Sequence, residues 1–397
     1  MAHRQADAGP EDEVLARLTT GAVDVLPKGR LRQQLAEGGP LRVKFGVDPT
    51  SPDIHLGHCV VLFRLRAFQD AGHTVVLIIG DYTARVGDPS GRDTTRPVLS
   101  ADEVEANAQT YLAQAFAVLD PGRTEVRRNS EWLAMGSGEL FDLVRRFTVA
   151  RLLEREDFGR RMDEAKPISV LELLYPVLQG YDSVAIESDI EFGGTDQTFN
   201  LLFGRDVQTA YGQQPQSILT MPILPGTDGR RKMSKTYDNY VGVNEPPEEM
   251  FGKLMSISDA AMGQYYLLLL GEELGEGRHP GEAKRELARR LTDRFHGDGA
   301  GERAEARFDS VHVRHEVPDD VPVARLVVAD GEDVHLPALI AAEFEISSSE
   351  ARRLIRQGAV RVDGEVVAED ALDLPLERLD GTVLQVGKRR HRRLERG

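Results

Sequence analysis

Two histidines three residues apart, His55 and His58, flank Gly57 just after the turn-forming run Asp48-Pro49-Thr50-Ser51-Pro52. Residues at i and i+3 share a helix face, and a helix start offers unpaired N–H groups and a positive dipole end to an anion. Gly57 lets a flat ring or a phosphate approach the backbone closely. Far downstream, the loop Gly226-Thr227-Asp228-Gly229-Arg230-Arg231-Lys232-Met233-Ser234-Lys235-Thr236 gathers four basic residues in an acidic chain. Mobile cationic donors are what a reacting triphosphate requires, because charge develops on it in the transition state. Taken singly, the first set reads equally as surface histidines and the second as a solvated basic loop. Together they point to a nucleoside triphosphate site.

Three further groups have the chemistry of ligand recognition. Tyr175, Gln179 and Asp182 lie at i, i+4 and i+7 in an otherwise apolar run and line one helix face. Such a face is a pocket wall for a small polar molecule or the solvent side of an amphipathic helix. Gly193-Gly194-Thr195-Asp196-Gln197 places paired glycines before a helix, with Asp196 set to accept from ribose hydroxyls. In Gly87-Asp88-Pro89-Ser90-Gly91-Arg92, Asp88 suits an ammonium group, while Arg92 and Arg96 suit phosphates. A pair of turns with solvated charges is the plainer reading of that stretch.

The elements that must position these groups read as an α/β fold. Val43, Phe45 and Val47 alternate as a short strand, Asp53 is a candidate N-cap, and Ile54–Phe68 has apolar residues at helical spacing. Thr74–Gly80 is a continuous apolar run of strand length, as in a parallel strand covered on both faces. Strand, helix, strand implies a right-handed parallel crossover, with ligands at the carboxyl ends of the strands. Further strands are expected near Ser188 and over Ser217–Ile223. The stretch from about 101 to 182 reads as a helical insertion, in which Pro176 should disturb the ladder of the last helix. This gives a Rossmann-like doubly wound parallel sheet in residues 1–240, an α-helical part over 241–318, and a linker over 319–334. A small α+β unit follows in 335–397, opening with the helix Leu336–Phe344 and a capping box at Ser347 and Glu350.

The chain has 397 residues and a formal net charge of −16, so non-specific nucleic-acid binding by the whole surface is excluded. RNA contact needs a local basic patch. One exists: Arg352, Arg353 and Arg356 on one helix face, with Lys388, Arg389, Arg390 and later arginines at the end of the chain. The single cysteine, Cys59, rules out an internal disulfide and a cysteine metal cluster and is expected to be a buried packing residue. The opening residues are polar and acidic, without the apolar core of a secretory signal. Apolar runs fall well short of the ~20 residues of a membrane span. A soluble cytoplasmic protein is expected.

The order of these motifs closely resembles the class I aminoacyl-tRNA synthetases, and among them the bacterial tyrosyl enzymes. His55-Leu56-Gly57-His58 resembles their HIGH signature and Lys232-Met233-Ser234-Lys235-Thr236 their KMSKS signature. The stretches 87–92, 175–182 and 193–197 match motifs of the tyrosyl enzymes, and the chain from about 335 resembles their S4-type RNA-binding module. The resemblance implies tyrosine, ATP with Mg2+ as its counterion, and tRNA(Tyr) as ligands, no tightly bound protein-ligated metal, and a homodimer. It assigns Asp88, Tyr175 and Gln179 to the tyrosine ammonium, Asp182 to its phenol, and Gln197 to the amino-acid side. His58 and Asp196 fall to the ribose, and Thr50 and His55 to the γ-phosphate. Arg92, Arg96, Lys232, Lys235 and Thr236 would close over the triphosphate, with Asp48 and Gly57 lining the cleft. Lys44 stands where better-known members place a tyrosine against the phenol, and Phe45 and Val61 replace polar residues there. The chain therefore resembles a second bacterial subtype, in which Lys44 is expected on the substrate side, paired with Asp81 or Asp182. A tryptophanyl enzyme and a non-catalytic, synthetase-like RNA-binding protein are the alternatives.

Overall fold

The computed structural model describes residues 10–50, 53–88, 100–312, 321–326, 333–387 and 390–397. Arg92, Arg96, Lys388 and Arg389 lie outside the described residues, as do 319–320 and 327–332 of the expected linker. The chain divides into two compact units, 1–304 and 305–397.

The first unit is built on a six-stranded sheet of β1 (Asp24–Leu26), β2 (Arg42–Val47), β3 (Thr74–Ile79), β4 (Thr124–Arg128), β5 (Ile190–Gly194) and β6 (Ser217–Met221). Their order is β1-β6-β5-β2-β3-β4, parallel throughout except for β1. The apolar runs of β3 and β6 are buried on both faces, as parallel strands under helices must be. From β2 the chain winds one way to β3 and β4, then returns to β5 and β6 on the other side. The switch point lies between β2 and β5, where a crevice opens at the carboxyl ends of the strands.

The stretch expected to be a helical insertion is not wholly helical. β4 lies within it and pairs with β3 at the sheet edge. Its sequence Thr-Glu-Val-Arg-Arg carries no apolar run because an edge strand is only half covered. The helix expected to falter at Pro176 instead runs unbroken from Val170 to Ala185. Ser169 caps its start, accepting from Glu172 N at 3.1 Å while Glu172 accepts from Ser169 N at 2.8 Å. Gly180 seats this helix closely against Val207 and Gly204 of the helix Thr198–Ala210, where a Cβ would collide. The expected boundary at 240 falls inside this first unit. Its helices Pro247–Met255 and Pro280–His296 pack together, and Arg294 lies over the ring of Phe63.

In the second unit a five-stranded sheet is formed by β7 (Val323–Leu326), β9 (Val360–Val362), β10 (Glu365–Val366), β12 (Val383–Val386) and β13 (Arg390–Arg396). β8 (Asp333–His335) pairs separately with β11 (Asp373–Pro375). The helices Leu336–Phe344 and Ser348–Arg356 bury Leu336, Ile340, Ala351 and Ile355 against Val360, Leu384 and Leu394. Ser347 caps the second helix, accepting from Glu350 N at 3.1 Å. The expected linker 319–334 is corrected here. β7 lies within it, turns Ala324 and Leu326 into this core, and pairs in parallel with β13.

Candidate active site

At the switch point two adjoining cavities, of about 240 Å³ and 440 Å³, open side by side. Phe45, Thr50, His58 and Gly194 line both. Their size and few convergent polar groups suit a small-molecule site.

The smaller chamber is floored by the carboxyl ends of β2 and β5 and walled by the Val170–Ala185 helix. Tyr175, Gln179 and Asp182 all face it, so that helix face is a pocket wall and not a solvent face. β2 delivers Asp48, whose carboxylate accepts from Thr83 Oγ1 at 2.7 Å and from Tyr175 OH at 2.8 Å. A side chain at Gly80 would run into Asp48 and Thr83, so only glycine permits this approach. Burial and the nearby carboxylates of Asp48 and Asp88 hold the Tyr175 phenol well above its ordinary range, so it stays a neutral donor. Opposite, Gln197 Nε2 donates to Asp88 at 2.9 Å while Gln197 Oε1 accepts from Asn200 at 2.9 Å. The expected Asp88 and Gln197 therefore meet in this chamber.

Asp182 is held from behind by groups that sequence reasoning missed. Trp132 Nε1 donates to it at 2.8 Å and Asn129 Nδ2 at 3.4 Å. Asn129 also donates to Thr83 Oγ1 and accepts from Tyr82 N, tying the end of β4 to the end of β3. Burial pushes the Asp182 carboxyl up to about 7, and the Lys44 charge with these two donors limits the rise.

Lys44 requires a correction. It does not pair with Asp81 or Asp182, and its side chain does not line the chamber. Its ammonium is consumed beneath the floor by Glu191 Oε1 at 2.7 Å, Ser183 Oγ at 2.8 Å and the Gln179 carbonyl at 2.9 Å. A buried ammonium takes the nearest carboxylate that can neutralise it, and β5 runs beside β2.

The larger chamber lies over the start of the Leu56–Asp70 helix. The N-cap is His55, not Asp53. His58 Nδ1 accepts from His55 N at 3.2 Å, and the two rings stack with centroids 3.9 Å apart. Burial, with nearby positive charge, pushes His55 down to about 2 and His58 down to about 4. Both imidazoles are thus neutral hydrogen-bonding groups near pH 7. A Cβ on Gly57 would sit 2.9 Å from the His55 ring, which explains the glycine. The turn is pinned by a bridge between His55 and Gly242, with Leu56 N donating to Val241 O at 2.9 Å.

Lys232, Lys235, Thr236 and Asp196 line the same chamber. The basic loop is folded back on itself: Lys232 bridges to Pro225, Met233 is buried, and Asn239 accepts from Ser234 N at 2.9 Å. Lys232 and Thr236 are exposed, whereas the Lys235 ammonium is held by Asp53. That pair keeps the Asp53 carboxyl below its usual range. Burial raises Asp196, and Lys232 partly offsets the rise.

On the second unit Arg352, Arg353, Arg356 and Arg390 are exposed. Arg353 is engaged by Glu350 on the same helix, and Arg392 serves the fold through Glu343 and the Phe344 ring. Among the described residues, no helix is long and apolar enough to cross a membrane.

Residues 36–312 match the family described as tRNA synthetases class I (W and Y), and residues 336–369 match the S4 domain. The tyrosine–tRNA ligase of Bordetella avium is 48% identical, the alignment covering 99% of each chain. That of Moorella thermoacetica is 50% identical, over 95% of this chain and 94% of the relative. Among solved structures, the tyrosyl-tRNA synthetase of Archaeoglobus fulgidus, complexed with L-tyrosine, superposes with a TM-score of 0.60 at 22% identity, covering 74% of this chain and 99% of that one. A truncated mitochondrial tyrosyl-tRNA synthetase of Aspergillus nidulans gives 0.63 at 20% identity, covering 76% and 93%. At such identities the likeness shows the fold alone.

Proposed function

From the premise that the chain belongs to the class I tRNA synthetases of the tryptophan and tyrosine group, we propose that it is a tyrosine–tRNA ligase. It activates L-tyrosine with ATP to tyrosyl-adenylate and pyrophosphate, then transfers the tyrosyl group to the 3′ end of tRNA(Tyr). The observation that carries this is the chamber wall of Tyr175, Gln179 and Asp182, closed by a buried carboxylate. Full-length relatives at 48–50% identity that bear the tyrosine ligase name support it over the tryptophanyl alternative.

In this reading the tyrosine ring enters the smaller chamber with its hydroxyl toward Asp182. Its ammonium meets Asp88, Tyr175 and Gln179, with Gln197 bracing Asp88. ATP fills the larger chamber, its ribose near His58 and Asp196 and its phosphates near Thr50, His55, Lys232, Lys235 and Thr236. The shared boundary at Thr50 and His58 brings the tyrosine carboxylate to the α-phosphorus. An oxygen–phosphorus bond forms as the bond to pyrophosphate breaks, and no protein nucleophile is required. Catalysis is positioning and charge stabilisation. Mg2+ would enter with ATP and neutralise phosphate charge. Among the described residues no group of three or more His, Cys, Asp or Glu is gathered to hold an ion.

ATP–pyrophosphate exchange assayed with tyrosine, tryptophan and phenylalanine tests the assignment. Exchange with tyrosine alone is expected. Exchange driven by tryptophan would move the chain to the other branch, and none with any amino acid would make it a non-catalytic homologue.

Residues 241–318 are assigned to anticodon binding and residues 335–397 to RNA clamping. Arg352→Ala with Arg356→Ala should leave adenylate formation unchanged while weakening tRNA binding. The salt dependence should flatten by a slope of roughly 0.7 to 0.9 per lost phosphate contact. Equal losses in pyrophosphate exchange and tRNA charging would refute the clamp. A homodimer is supported by exposed Phe141, Val149, Met162, Val170 and Leu171 around the insertion. Sedimentation of the free protein as a monomer would count against it.

A further inference from the structure

Glu191 has no role in the scheme above, yet it lines the smaller chamber at one end of a fully buried ion pair. The Lys44 and Glu191 side chains are 0% and 2% exposed. Taking two such charges out of water costs several kcal/mol per ion, recovered only where both are fully bonded. Lys44 uses all three of its protons, on Glu191, Ser183 and the Gln179 carbonyl. Glu191 Oε2 accepts from Ser183 Oγ at 3.3 Å and from Gln216 Nε2. Its Oε1 accepts from Lys44 and, at 3.4 Å, from Gln179 Nε2.

A carboxylate held by a lysine accepts and does not donate. The Gln179 amide can therefore present only its nitrogen to Glu191, because the reverse orientation would set oxygen against oxygen. The consequence falls on the other end of the amide. Among the described residues, Gln179 Oε1 is buried and has no hydrogen-bond partner. Such an acceptor calls for a donor from outside the chain.

We propose that Glu191, with Lys44 as its counter-charge, is a positioning residue that fixes the polarity of the Gln179 amide so that its oxygen is reserved for the substrate's α-ammonium. The proposal rests on the reading of Gln179 as an ammonium ligand. It gives the Lys44 departure a function: the lysine serves the substrate indirectly, through Glu191.

The test compares equilibrium binding of tyrosine with that of 3-(4-hydroxyphenyl)propionate, which lacks the ammonium, on the full chain. Glu191→Gln presents an amide that can bond to either end of Gln179 and so releases its orientation. Tyrosine affinity is expected to fall about tenfold, the loss of one charge-assisted hydrogen bond, while the analogue changes less than about twofold. Because this variant leaves Lys44 buried without its counter-charge, the double variant Lys44→Met/Glu191→Gln is measured beside it and should show the same selective loss. A merely structural role would weaken both ligands alike. Equal losses for the two ligands, or unchanged tyrosine binding in the double variant, would overturn the proposal. Gln179→Leu separates the two levels of inference. If it discriminates between the ligands and Glu191→Gln does not, only the positioning role falls. If it fails to discriminate, the ammonium assignment itself falls, and the proposal with it.

Discussion

Asp182→Asn lowers kcat/KM for tyrosine in pyrophosphate exchange by about two orders of magnitude, while KM for ATP stays within about twofold; the size is that of a charged hydrogen bond of roughly 2–3 kcal/mol. The surroundings of the carboxylate dictate this. Trp132 Nε1 and Asn129 Nδ2 both donate to it. An amide has one acceptor atom, which these donors would claim, leaving its NH2 toward the substrate phenol in place of an oxygen. Phenylalanine would leave the native carboxylate without that partner for the same reason. A pH dependence follows from the same group. Burial pushes Asp182 up to about 7, so the empty site loses its carboxylate as pH falls through that value. The phenol hydroxyl needs the ionised acceptor, so tyrosine kcat/KM should fall below pH 7, approaching tenfold per unit, and level off above it. His55 and His58, held down to about 2 and 4, stay neutral across that window and add no step. Equal damage to both substrates in Asp182→Asn, or a pH step that survives the substitution, would refute the assignment.

What could be read from the sequence follows from where the chemistry sits along the chain. The chamber wall was legible because Tyr175, Gln179 and Asp182 recur at helical spacing, and periodicity survives without knowledge of partners. β3 was legible for a similar reason, since a strand covered on both faces needs an unbroken apolar run. The supports behind the site were not. Trp132 and Asn129 follow an edge strand whose charged sequence has no strand period, so nothing marked them as the donors that hold Asp182. Lys44 was visible as a charge in an alternating strand, but its partner comes from β5, and sequence distance does not reveal which strands become neighbours at a switch point. Asp53 had a local reading as an N-cap. The structure gives the cap to His55 and Asp53 to Lys235, because two segments far apart in sequence are brought together by the bridge from His55 to Gly242. Local rules identified residues that line the two chambers; tertiary pairing decided which residues hold them.

Lys235→Ala lowers the rate of tyrosyl-adenylate formation by about two orders of magnitude, the usual effect of removing one preorganised donor from a developing charge, and leaves tyrosine binding within about twofold. Before ATP arrives the Lys235 ammonium is held by Asp53, so the phosphates must compete for it. Both members of that pair are substantially exposed, with side-chain exposures of 29% and 47%. Exposed ion pairs of this kind contribute about 0–1 kcal/mol, less than the roughly 2.7–4 kcal/mol lost when a preorganised donor to a developing transition-state charge is removed. The lysine therefore leaves Asp53 at little cost, and the pair acts as a parking place rather than a lock. It follows that Asp53→Ala should change the rate by less than about threefold, although it removes the same ion pair. Single-turnover adenylate formation without tRNA, over a range of ATP concentrations, measures both variants. The Lys235→Ala defect should appear mainly in the maximal rate, because the contact is made in the transition state. A defect confined to tyrosine binding would remove Lys235 from the triphosphate. If Asp53→Ala were as damaging as Lys235→Ala, the ion pair itself would be the functional unit, and transition-state stabilisation by the lysine would be the wrong account.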